Sequence, residues 1–308
     1  MKTDSKPLVY SMAVLVILML TVLLTACGGA PPPPAEAGAA VESSAPARTI
    51  QNKGSDTLVN LALAWAERYR EIRPDVSIAV TGGGSGTGIA ALINGTVDIA
   101  NASRKMKDKE FEAARANGIE PVEFVVAIDA LAVVVHPDNP VDRLTIDQLA
   151  DIFTGRITNW KEVGGNDAPI ILLSRETNSG THVYFLEEVV RKGEKDNEDI
   201  FAPQTLLMPS SVGITSELRR NPNAIGYDGL GYVTEEEKMI AVARTASSPY
   251  VLPSVESGSD GSYPIARNLY MYTAGEPSDV IAEYLDWIRG PEGQAIVAEL
   301  GFVPLPQE

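Results

Sequence analysis

Four short stretches of the chain concentrate small hydroxyls, glycines and arginines. They are GSDT at 54–57, GGSGTG at 83–88, ASR at 102–104 and SRETNSGT at 174–181. Hydroxyls, guanidiniums and backbone N–H groups that glycine leaves approachable are all hydrogen-bond donors. As a set they match a small tetrahedral oxyanion, with Arg104 and Arg175 able to give charge-assisted, bidentate bonds. A nucleotide suits the same residues badly. From Gly82, the G-x-G-x-x-G pattern needs glycine where Thr87 stands; from Gly83, the Walker pattern needs lysine where Ile89 stands. No ribose-binding acidic or aromatic residue follows at the expected interval.

Each stretch alone has a plainer reading. Ser55, Asp56 or Thr57 would serve as a cap for the helix that starts near Leu58, and Ser85 or Thr87 for the next one. Arginines are commonly solvated or paired with a carboxylate, and NSGT by itself is a turn followed by a cap. Position argues for more. VSIAV reads as a strand running into the glycine loop, and GIAALINGT as a helix stopping near Gly95; VDIANAS and DKEFEAARANG repeat the strand and helix. That alternation predicts an α/β fold with mainly parallel sheets flanked by helices, in which ligands sit beyond strand C-termini near helix N-termini. There the first N–H groups lack partners and carry about half a positive charge. Joint placement of the four stretches at such positions points to one anion site.

Asp56 stands out, since a carboxylate repels an anion. It suits a ligand that carries its own proton: hydrogen phosphate has one at neutral pH, whereas sulfate has essentially none. A site that uses a ligand O–H can reject the analogue lacking it by roughly 10⁴-fold or more. The whole chain is acidic, with a formal net charge of −16. This argues against nucleic acid or an anionic lipid surface as partner. It also requires the anion to be held by short-range donors, inside a Debye length of about 8 Å.

The remaining segments set compartment and organisation. Lys2 and Lys6 precede an apolar run that ends in LTAC, and Cys27 is the only cysteine. The run reads as a secretory signal over 1–26, and the small residues before Cys27 resemble a bacterial lipobox, so Cys27 is expected to carry lipid. Residues 27–48, rich in Pro and Ala, read as a tether. NKGSDT reads as a polar turn, LVNLALAWAERYREI as a helix, and THVYFLEEVVRKG as another. The long apolar run 122–140 is either two strands joined by a bend or one strand crossing between domains. A second strand-rich run lies at 263–273, and two helices break at Gly290-Pro291.

With these motifs quoted, the chain resembles the lipoprotein branch of the bacterial phosphate-binding proteins that serve ABC importers. The matching pieces are GSDT, GGGSGTGIAALINGTVDIANASR, LTIDQLADIFTGRITNW, RETNSGTHVYF and PNAIGYDGLGYV. The resemblance implies a two-lobed periplasmic-binding fold (type II), with 49–128 plus 263–308 as lobe I, 129–262 as lobe II, and two hinge crossings. It implies hydrogen phosphate held by Ser55, Asp56, Thr57, Ser85, Gly86, Thr87, Ser103, Arg104, Arg175, Ser179, Gly180 and Thr181. It further implies a monomer delivering phosphate to ABC permease subunits, outside the cytoplasm and touching the membrane through its lipid only. Ser103 replaces an aspartate and Asp56 a threonine of the better-known branch, which leaves Arg104 open between ligand and ion pair.

Rival readings are few. His136 and His182 are the only histidines; His182 follows NSGT and could approach Ser179, but a base beside its nucleophile in one helix start lacks an orienting third group. No metal-hydrolase pattern occurs, and no enzyme, cofactor or metal is expected. Another oxyanion such as sulfate or molybdate, or a tethered phosphate sensor, are the alternatives left.

Overall fold

The computed structural model describes residues 48–277 and 279–306. Signal, Cys27 and nearly all of the tether therefore lie outside the described residues. The first part contains β1 (Arg48–Gly54), α1 (Val59–Ile72), β2 (Val76–Thr81), α2 (Ser85–Ile93), β3 (Ile99–Ala102) and α3 (Asp108–Ala116). β4 (Val122–Val135) follows as one 14-residue strand. Beyond it come β5 (Arg143–Thr145), α4 (Ile146–Phe153), β6 (Ile171–Arg175), α5 (Gly180–Phe185), β7 (Leu206–Met208) and α6 (Ser211–Leu218). The chain continues through β8 (Ala224–Gly229), β9 (Lys238–Met239), β10 (Ala241–Ala243) and α7 (Val255–Ser259). It returns along β11 (Ala266–Thr273) and ends in α8 (Asp279–Arg289) and α9 (Pro291–Glu299).

Local sequence explains most boundaries. α1 buries Leu61, Ala62, Trp65 and Tyr69, an apolar stripe at helical spacing, and gives way at Arg73-Pro74, where proline disfavours helix in the residue before it. Thr145 and Gln148 form a capping box that opens α4. Gly290 caps α9 with Pro291 in its first turn, which separates it from α8.

One strand decides the architecture. The large sheet runs β2-β1-β3-β11-β4-β8-β6-β7, with β9 also on β4. Residues 122–130 of β4 pair with β11, and residues 131–135 pair with β8. A separate apolar core lies on each side of that change: Trp65, Leu269 and Tyr284 with Val126 and Ala127, against Phe153, Trp160, Phe185 and Tyr227 with Leu131 and Val133. The fold is thus α/β and two-lobed, and the second of the two readings of 122–140 is the observed one. Pairing is parallel on the flanks, among β2, β1 and β3 and among β8, β6 and β7. The two crossing strands β4 and β11 run antiparallel to each other and to their outer neighbours. A chain that leaves one lobe and returns must traverse the shared sheet in opposite directions.

NKGSDT is only partly a turn. Asn52–Gly54 complete β1, because Asn52, Lys53 and Gly54 pair with Ile99, Ala100 and Asn101 of β3. Gly54 has φ +146, and a Cβ there would lie 2.1 Å from the Asn101 carbonyl oxygen. Gly54→Ala is expected to destabilise the chain by about 3 kcal/mol, read from the denaturation midpoint, through backbone strain and a clash that no rotamer relieves.

Candidate functional site

Four loops leave the C-terminal ends of β1, β2, β3 and β6, and they meet. Ser55, Asp56 and Thr57 follow β1; Gly82 to Ser85 link β2 to α2; Ser103 and Arg104 follow β3; 176–179 link β6 to α5. The Thr57 and Thr181 hydroxyls lie 2.9 Å apart. Ser85 Oγ lies 3.3 Å from Ser103 Oγ and accepts the Ser103 N–H at 3.0 Å. A Cβ on Gly180 would fall 2.3 Å from Ser85 Oγ and 2.6 Å from Ser103 Oγ. Ser179 caps α5 by accepting the Thr181 N–H at 3.2 Å. Six small residues from both sides of the β4 crossing therefore share one junction, and all six are buried. Ser55 Oγ is buried there too, without a hydrogen-bond partner among the described residues.

The charges around the junction are arranged in pairs. Arg175 is 1% exposed and donates from Nη2 to Asp56 Oδ2 at 2.7 Å, while Asp56 Oδ1 accepts the Gly83 N–H at 2.9 Å. Ser211 Oγ and the carbonyls of Met208 and Pro209 hold three more of the Arg175 N–H groups, which leaves one on Nη1. Arg267 on β11 faces its register partner Asp129 on β4 at 2.8 Å, and also donates to Thr181 Oγ1 at 2.9 Å. Burying charges in pairs with extra hydrogen bonds is the arrangement that offsets desolvation. An anion here meets paired guanidiniums and local dipoles rather than a bare positive charge.

Three of the expected contact residues have protein partners of their own. Arg104 gives both terminal nitrogens to Glu110, at 2.8 and 2.7 Å, while its buried Nε has no hydrogen-bond partner among the described residues. Burial raises the Glu110 pKa, but the Arg104 bond and the Lys107 N–H outweigh it, and the carboxyl sits below its usual range. Gly86 donates its N–H to the Asn178 carbonyl at 3.0 Å, and Thr87 Oγ1 receives Asn178 Nδ2 at 3.4 Å. These two residues face the opposing loop.

His182 does not approach Ser179. It is buried, and its Nδ1 lies 3.0 Å from Ser174 Oγ, which also bonds the Tyr227 hydroxyl. Burial pushes the imidazole pKa down, favouring the neutral ring. His136 Nδ1 accepts the Asp138 N–H in a turn.

Some junction residues had no expected role: Asp129, Arg267, Ser211 and Asp228. Asp129 interrupts the apolar run VVAIDALAVVV, and a charge within a buried strand is a signal of a paired or functional group. Asp228 is fully buried; Oδ1 accepts from Ser211 Oγ and the Gly229 N–H, both at 2.8 Å, while Oδ2 has no partner among the described residues. Burial lifts its pKa to about 6, against the pull of Arg175 and these two bonds. Below the ordinary carboxylate pKa of 3.8 the group is protonated folded and unfolded alike. As pH rises through about 6 the folded form must ionise a group already ionised when unfolded, so this contribution is lost upward in pH. From this group, stability is expected to fall by up to about 3 kcal/mol between pH 4 and 7. Asp228→Asn should remove that slope in urea melts taken across the range.

A model of the PBP superfamily domain matches residues 40–292. The phosphate-binding protein PstS of Pseudomonas aeruginosa is 34% identical over 282 residues, covering 86% of this chain and 85% of that protein. The chain belongs to the PstS phosphate-binding protein family. The Bacillus subtilis PstS is 34% identical over 253 residues, 82% of this chain and 79% of that one. Among solved PstS-like structures, a Clostridium perfringens protein with bound phosphate is 33% identical, with a TM-score of 0.75 over 84% of this chain and 100% of that one. An ABC-type phosphate transport receptor from Vibrio cholerae is 29% identical, with a TM-score of 0.66 over 83% of this chain and 100% of that one. PstS relatives are substrate-binding proteins, and among the described residues no helix is long and apolar enough to cross a membrane.

Proposed function

We propose that this chain captures hydrogen phosphate at the four-loop junction and delivers it to the permease subunits of an ABC importer. The supporting observation is that Gly180 lies against Ser85 and Ser103 while Thr181 lies against Thr57, which gathers donors from four strand ends at one point. Residues 49–128 and 263–308 form lobe I in this reading, and 129–262 form lobe II. The lobes part and close about β4 and the return into β11, a hinge motion of the kind that buries small solutes. Ser55, Thr57, Ser85, Ser103, Ser179, Thr181 and the Gly180 N–H donate to the phosphate oxygens.

The Asp56–Arg175 pair reads the ligand's protonation state. Arg175 offers its remaining Nη1 N–H to P–O⁻, and Asp56 accepts from P–OH. Sulfate satisfies only the first of these. The protein works outside the cytoplasm, held to the membrane by a lipid on Cys27, and binds solute rather than transforming it. Calorimetry with phosphate, sulfate and molybdate tests the reading: one phosphate per chain, with no comparable heat from the fully ionised oxyanions, is the expected result. A preference for sulfate or molybdate would overturn it.

A further inference from the structure

The glycine-rich stretch 82–88 matches no nucleotide loop, and its phosphate-facing part reduces to Ser85. Its glycines have another neighbour. Gly84 has φ +88, and a Cβ there would lie 2.8 Å from the Asn178 carbonyl oxygen and 3.2 Å from Asn178 Cγ. On Gly86 a Cβ would lie 3.3 Å from the same carbonyl oxygen. The Gly86 N–H donates to that oxygen at 3.0 Å, and Asn178 Nδ2 donates to the Gly83 carbonyl at 2.9 Å and to Thr87 Oγ1 at 3.4 Å. One residue from the β6–α5 loop thus sits in a socket made by the β2–α2 loop, on the other side of the β4 crossing.

We infer that Asn178 is an interlobe latch. The glycines keep side chains out of its way, and its amide and carbonyl fasten the two lobes directly, beside the phosphate junction rather than within it. As a positioning residue it acts on how long the closed form lasts. The free chain makes and breaks this contact, and association begins from the parted lobes in which it is broken, so the latch acts chiefly on the dissociation rate and shifts the association rate little. The kinetic part of this inference rests on the phosphate reading; the contact itself does not.

Stopped-flow phosphate binding and hydrogen exchange on the full chain test it together, using Asn178→Ala and Gly86→Ala. Asn178→Ala removes both side-chain bonds and is expected to raise the phosphate dissociation rate about tenfold, with the association rate within about twofold of the parent. Gly86→Ala is compatible with the first turn of α2 but presses on the Asn178 carbonyl, and should raise the dissociation rate as well. Without phosphate, amide exchange in the peptide spanning 82–88 should be faster in both variants than in the parent. That second readout decides the latch even where phosphate heat is absent, a result that would sink only the ligand assignment. Unchanged exchange in 82–88 in both variants, or a loss confined to the association rate, would overturn the latch.

Discussion

Replacing Asp56 by alanine is expected to cut the preference for phosphate over sulfate from roughly 10⁴-fold to below about 100-fold. Phosphate affinity itself should fall less than selectivity does. In the parent, the Asp56 carboxylate is bound by Arg175 Nη2 at 2.7 Å and by the Gly83 N–H at 2.9 Å. Each carboxylate oxygen has a second lone pair, so a P–OH can be accepted without breaking either bond. Sulfate brings an oxygen lone pair to the same place and meets repulsion without compensation. In the alanine variant that repulsion is gone, and the buried Arg175 has lost its counter-charge, so any oxyanion is welcome. Gains for sulfate, more than losses for phosphate, should carry the change in ratio. Competition of sulfate against phosphate in calorimetry gives both affinities. Unchanged selectivity would reduce Asp56 to an ion-pair partner that holds Arg175 in place.

Gly180→Ala is expected to weaken phosphate binding by at least about 100-fold with little change in thermal midpoint. The residue opens α5 with an ordinary helical backbone, so alanine fits the local conformation. The added methyl does not fit the junction, because it lands 2.3 Å from Ser85 Oγ, 2.6 Å from Ser103 Oγ and 3.1 Å from the Ser103 carbonyl carbon. Rotating two hydroxyls does not move that backbone carbon, so the lobes must stay apart by a fraction of an ångström or more. Donors that no longer converge lose the aligned, charge-assisted bonds that make the site. A phosphate affinity within about threefold of the parent would show that closure does not bring Gly180 onto the β3 loop.

Much of this site was legible in residue types alone, for a physical reason. Glycines and small hydroxyls at strand ends have few uses besides turns, caps and close approach to a ligand, and four such stretches in one α/β pattern narrow the choice. α1, α2, α3, α8 and α9 followed from apolar spacing and punctuation such as Gly95, Gly118 and Gly290-Pro291. What stayed hidden depends on pairings distant in sequence. Arg104 stays open between ligand and ion pair until α3 brings Glu110 against it, and Asp56 reads as a lone acid until Arg175 arrives from 119 residues away. β1 was obscured because its last residues, Asn52, Lys53 and Gly54, are polar or small, and only pairing with β3 makes them strand. Arg267 and Asp129 gave a clue as charges inside apolar runs, but their pairing rests on the register of β4 against β11.

A crystal structure of the chain grown with phosphate tests the central claim most directly. The account predicts one phosphate between the lobes, its oxygens within hydrogen-bond distance of Ser85, Ser103, Thr57 and Thr181, and its protonated oxygen against Asp56. Phosphate bound instead beside Arg104 and Lys107, with the four-loop junction closed on itself, would contradict it.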